Sequence, residues 1–219
     1  MNPPFTSEQF LEVFKNYNQA VFPMQFLIVF LGFLMIYFTI KPNPKSDSII
    51  SFLLALFWFW MGIVYHITFF SAINKFANVF GGLFIIQSIL FLVFGNNQDK
   101  LTFHFKKDIY GITGMILMIF AMIIFPILGY LFGHIYPFSP AFGLPCPTTI
   151  FTLGLLVLNL KKRTIWILIF PILWSLIGFT AVFQFGILED YGLIVAGLIS
   201  VFLLIYNSKI LLKTKFKQK

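Results

Sequence analysis

The chain has 219 residues, of which 59% are apolar and only 10% charged, with a mean hydropathy of +0.94. A soluble domain is about 25% charged, so this composition excludes an ordinary soluble fold and a disordered chain alike. The net charge of +8 does not call for nucleic acid, because the basic residues fall between apolar stretches and in the tail, where they anchor membrane proteins.

An all-α polytopic membrane protein is therefore expected, as one transmembrane domain over residues 1–219. Residues 6–21 come first. Phe10, Phe14, Tyr17 and Val21 form one stripe, and Glu8, Glu12, Lys15 and Gln19 form another. That is the period of an amphipathic helix. Thr6 and Gln9 fit a capping box, and Pro23 marks a break. The expected role is a helix lying in the membrane interface. No basic region precedes an apolar core at the N-terminus, so no removable signal peptide is expected.

Apolar stretches long enough to cross follow at 22–40, 49–70, 76–94, 109–132, 164–184 and 191–212. A shorter one lies at 148–160. As a helix it rises only about 20 Å, against a hydrocarbon core of about 30 Å. Charge arbitrates whether it crosses. If all seven stretches cross, thirteen basic residues lie on one side and two, Lys15 and Lys75, on the other. If the short stretch does not cross, the split is ten to five. The positive-inside rule prefers seven spans, with the N-terminus outside and the C-terminus cytoplasmic.

The segment before the short stretch, residues 133–147, is uncharged and apolar but holds four prolines and two glycines. It is expected to be non-helical and to dip into the outer half of the membrane against His66, with Thr148 capping the helix that follows. Irregular backbone at membrane depth survives only when buried in protein or facing a water-filled cavity. The run Phe125-Pro-Ile-Leu128 recurs as Phe170-Pro-Ile-Leu173; it reads as a kinked pair from duplication or, more simply in a chain so rich in Phe, Ile and Leu, as chance.

Several local runs carry a resemblance. They are Trp58-Phe-Trp-Met-Gly-Ile-Val-Tyr-His66, Gly133-His-Ile-Tyr-Pro137, Phe142 through Phe151, Leu173-Trp-Ser-Leu-Ile-Gly178 and Glu189-Asp-Tyr-Gly192. Together they resemble a family of bacterial multi-pass membrane proteins of unknown function, over nearly the whole chain. The resemblance implies a bacterial inner-membrane protein and supplies no activity.

Sorting polar residues by depth gives one candidate pocket at the outer face: His66, His134, Tyr136, Cys146, Thr148, Gln184, Glu189 and Asp190. His66 reads either as a ligand or proton acceptor, since ionisable groups within spans are functional candidates, or as a histidine satisfied by a backbone carbonyl or Tyr65. Cys146, the single cysteine, excludes an intrachain disulfide and any CxxC motif; it reads as a nucleophile, a soft metal ligand or a small packed residue. Glu189 and Asp190 read as cation ligands, as partners of His134, or as ordinary turn carboxylates. No catalytic residue and no cofactor is assigned. The expected partners are the bilayer and a small-molecule or ion ligand bound or transported through an outward cavity. A membrane-embedded enzyme or metal site, with no local spacing motif to support it, and a non-catalytic partner subunit or sensor are the alternatives.

Overall fold

The computed structural model describes residues 5–95, 101–158, 160 and 165–217. Among them the protein is all-helical. Helix α1 spans Ser7–Ala20, α2 Met24–Ile40, α3 Ser46–Ala72, α4 Ala77–Gly95, α5 Ile109–Leu131, α6 Pro145–Val157, α7 Trp166–Phe185 and α8 Tyr191–Lys217. Five helical segments are long and apolar enough to cross a membrane: α3, α4, α5, α7, and Leu188–Asn207 at the start of α8. Helix α2, with 17 residues, and α6, with 13, are apolar but shorter.

Local sequence explains the ends. The Thr6 hydroxyl accepts from the Gln9 amide at 3.2 Å, and the Gln9 side-chain Oε1 accepts from the Thr6 amide at 2.9 Å, the expected capping box. The chain turns by 87° between α1 and α2 at Pro23. Asp108 caps α5 by accepting from Gly111 N at 2.8 Å. Two stretches widen to π-helical turns, Met61–Phe69 in α3 and Phe120–Ile124 in α5. In α5 the wide turn directly precedes Pro126, which has no N–H to continue the regular ladder.

The short helix α6 is the hub. Every residue of Pro145–Val157 is buried except Cys146, which is partly exposed. It packs against α5, α7 and α8. A helix apolar on all sides is stable where protein surrounds it, so α6 need not match the bilayer thickness by itself. Its closest neighbour is α5. A Cβ on Gly114 would come within 2.5 Å of the Gly154 carbonyl oxygen, and one on Gly154 within 2.8 Å of the Gly114 oxygen. Both positions must be glycine for the two backbones to meet, the small-residue packing typical of helices in lipid. The surrounding helices leave large apolar side chains exposed on their outer faces, among them Phe26, Phe30, Val79, Ile116, Leu198 and Phe202. Water would not tolerate so continuous a belt.

The loops gather at two ends. At one, Phe105 N donates to Thr39 O at 3.0 Å, Phe103 N donates to Asp47 at 2.8 Å, and His104 lies 3.2 Å from the same carboxylate. Asn207 donates to Leu160 O at that end too. Lys41, Lys45, Lys106 and Lys107 belong to these loops. Lys100, Lys161, Lys162, Arg163 and Lys219 of the basic count lie outside the described residues. At the other end stand α1, the end of α3, the 133–144 segment and the α7–α8 turn, with Lys15 and Lys75.

Against the expectation of a helix lying in the membrane interface, the apolar face of α1 is covered by protein and not left for lipid. Phe10, Phe14, Tyr17 and Val21 are all buried, in a cluster with Tyr65, Phe70, Leu144, Ala181 and Phe185. Aromatic side chains serve equally to face lipid or rings of the same protein, so periodicity alone did not identify the partner.

Candidate functional site

The α1 end encloses a cavity of about 210 Å³. Helix α7 supplies one wall through Trp174, Ile177, Gly178, Ala181 and Phe185, a stripe at helical spacing. The start of α6 supplies Cys146 and its flanking prolines. Tyr65 and Phe70 come from the end of α3, where the π-helical turn buries the consecutive residues Tyr65 and His66 together. Phe5, Phe10 and Phe14 close the cavity from the α1 side.

Those α1 rings are held by stacking. Phe10 lies 4.5 Å from Phe185 and Phe5 lies 4.9 Å from it, ring centre to ring centre, and both meet Phe70 at 5.6 Å. The other half of α1 is tied by polar bonds. Trp60 Nε1 donates to the Tyr17 hydroxyl at 2.8 Å, and that hydroxyl reaches Gly143 O at 3.4 Å. Burial pushes the Tyr17 hydroxyl up to about 12, against the opposing effect of the Trp60 bond. Asn18 Nδ2 donates to Pro137 O at 2.7 Å and to Ser139 O at 2.9 Å. Near the helix start the polar bond is Ser7 Oγ to Gln184 O, at 3.5 Å.

The polar floor of the cavity is small. Asp190 is 2% exposed and its Oδ1 has no hydrogen-bond partner among the described residues. The Cys146 thiol adjoins the Asp190 carboxyl. Trp174 Nε1 is also buried without a partner. A Cβ on Gly178 would sit 3.2 Å from that nitrogen and 3.4 Å from Cys146 Sγ. Glycine at 178 thus lets the α7 backbone lie close to both groups. Buried polar atoms are normally bonded, so each such group in a native site calls for a reason.

Three of the residues expected in a pocket, Cys146, Gln184 and Asp190, line this cavity. The other five stand elsewhere. Glu189, adjacent to Asp190, turns away and meets His134, with Nδ1 at 2.9 Å from Oε1 and 3.2 Å from Oε2. The missing side chain of Gly129 makes room for this carboxylate, since a Cβ there would come within 3.0 Å of Oε1. Thr148 does not start α6, which begins at Pro145 behind Leu144. Proline suits the first helical turn because its N–H would be unpaired there in any case. Thr148 Oγ1 instead accepts from Gly143 N at 3.0 Å, pinning the 133–144 segment to the helix. Tyr136 is 56% exposed. His66 is fully buried behind the cavity wall, against the rings of Phe84 at 4.6 Å, Trp174 at 5.0 Å and Phe80 at 6.0 Å. The rings packed on it come from α3, α4 and α7, not from residues 133–147.

The residues that sequence reasoning missed are the aromatic walls, Trp174 and Phe185 above all. The signal was present as the 174, 177/178, 181, 184/185 stripe, but in so apolar a segment a cavity wall and a lipid face read alike. The burial of Glu189 and Asp190 was not legible either, because a turn carboxylate is ordinarily solvated. Among the described residues no three His, Cys, Asp or Glu side chains converge to hold a metal ion.

A model of a family of unknown function, DUF6064, matches residues 7–214, and the chain belongs to that family. No curated protein and no solved structure matches it.

Proposed function

We propose that the protein is an integral membrane protein that binds a small, largely apolar molecule from the outer side, as a receptor or as the first step of transport. In this reading all seven helices α2 to α8 cross the inner membrane of a bacterium. Helix α1 lies at the outer surface, the N-terminus is outside and the C-terminus is cytoplasmic. The gathering of Lys41, Lys45, Lys106 and Lys107 at the end opposite α1 supports that orientation. The irregular 133–144 segment is tied to α1 and to α6 by hydrogen bonds from Asn18 and to Thr148, the protein-covered setting that non-helical backbone requires at membrane depth.

The observation that carries the reading is the cavity itself. It holds about 210 Å³ beneath a helix docked mainly by stacked rings. An apolar cavity of about 150 Å³ accommodates benzene, so there is room here for an aromatic ring and a short polar arm. Apolar walls with a few convergent polar groups are the usual form of a small-molecule site.

The test is direct binding of 2-phenylethanol to the purified protein, followed by tryptophan fluorescence, since Trp174 lines the cavity. Saturable binding is expected, with affinity at least tenfold weaker in Ala181→Phe, whose ring fills the same space. Equal affinity in the filled variant, or no saturable binding to the wild type, contradicts the reading.

A further inference from the structure

The charge of the cavity names the class of ligand; the argument rests on the binding reading above. Among the described residues that line the space, Asp190 is the single charged type, and no Lys, Arg or His is present. Its neighbour Glu189 is already engaged by His134, whereas Asp190 meets only the neutral Cys146 thiol and keeps Oδ1 without a partner. The walls around it are ring faces: Tyr65, Phe70, Phe80, Trp174 and Phe185, with the α1 phenylalanines opposite. Aromatic faces attract cations through their quadrupole. A buried carboxyl is stable as an anion only with a bonded counter-charge. The unpartnered Trp174 N–H favours an acceptor on the ligand instead. A neutral N–H contact is about half as strong as a charge-assisted one, so Asp190 sets the sign.

We propose that the cavity takes a small organic cation, an ammonium group on an apolar body the size of one aromatic ring, with the ammonium against Asp190 and the body between the aromatic walls. An anion of the same shape would meet a carboxyl and no cation.

Three probes on one carbon skeleton test this: 2-phenylethylammonium, 2-phenylethanol and phenylacetate, each titrated into the full-length protein in micelles of an uncharged detergent, so that no surface charge ranks the probes. The ammonium is expected to bind at least tenfold tighter than the alcohol, and phenylacetate weakest of all. Asp190→Asn is expected to erase the preference for ammonium while leaving the alcohol's affinity within about twofold. The wild-type ranking decides the matter even if that variant does not fold. Alcohol or phenylacetate binding as tightly as the ammonium overturns the proposal and leaves the cavity reading intact; so does a preference that survives Asp190→Asn. If none of the three binds, both fall. The ammonium can belong to a soluble amine or to an amine-bearing lipid headgroup. Adding phosphatidylethanolamine to the micelles separates them: a headgroup that occupies the site weakens the probe at least tenfold, and a soluble ligand leaves it unchanged.

Discussion

Replacing Phe10 with alanine is expected to speed the reaction of Cys146 with a small thiol reagent by about 100-fold or more. Phe10 touches the rings of Phe185, Phe14 and Phe70 within 5.6 Å and is buried. Truncating a buried Phe costs about 3–5 kcal/mol. Here the cost falls on the docking of α1, because the cluster holding Phe10 is centred on that helix and the α6–α7 core does not depend on it. Each 1.4 kcal/mol shifts an equilibrium about tenfold, so the undocked population rises by more than two orders of magnitude. Tyr17 and Asn18 keep the far half of α1 anchored, which makes the motion a hinged opening. Cys146 lies behind the docked rings in the same cavity and reports the opening as a rate of adduct formation measured by mass spectrometry. A rate within twofold of the wild type would mean that α1 is not the lid.

The His134→Ala variant is expected to lose about 3–5 kcal/mol of stability, because it leaves a buried carboxylate without its partner. The Glu189 side chain is fully buried and that of His134 is 11% exposed. Their bond closes the turn at the end of α5, where His134 N also donates to Gly129 O at 2.8 Å. Tyr136→Ala, two residues away on the exposed surface, is expected to stay within about 0.5 kcal/mol of the wild type. Thermal unfolding of the two variants in detergent gives the comparison. Equal unfolding temperatures for both would show that the pair carries no weight.

Helix positions were legible because each apolar run is bounded by polar or proline residues. The run at 109–132 became Ile109–Leu131, and that at 76–94 became Ala77–Gly95. The Thr6–Gln9 box was legible because its chemistry is local. The non-helical character of 133–144 followed from its prolines and glycines, while the helix began at Pro145, three residues before Thr148, because proline needs no N–H partner in a first turn. What depends on tertiary neighbours was not legible. Depth along the sequence assigns His66 and Cys146 to one space, but the wide turn in α3 places the Tyr65 ring along the cavity and His66 behind it. Glu189 and Asp190 are adjacent in sequence yet serve different neighbours, His134 and Cys146, because the short 3-10 turn Leu188–Asp190 separates their directions. Nothing in the order of residues distinguishes those two carboxylates.

Cys146, the single cysteine, lines the cavity and reports directly whether that cavity is a ligand site open to the outer side. A membrane-impermeant maleimide is added to right-side-out and to inverted membrane vesicles containing the Phe10→Ala protein, in which α1 opens more often, and the same reaction is followed over a longer time in the wild-type protein, whose cavity walls are intact. Labelling of Cys146 is expected only in the right-side-out vesicles, and 2-phenylethanol is expected to slow the wild-type reaction. Labelling only in the inverted vesicles would contradict the orientation, and wild-type labelling that the probe does not slow would contradict the site.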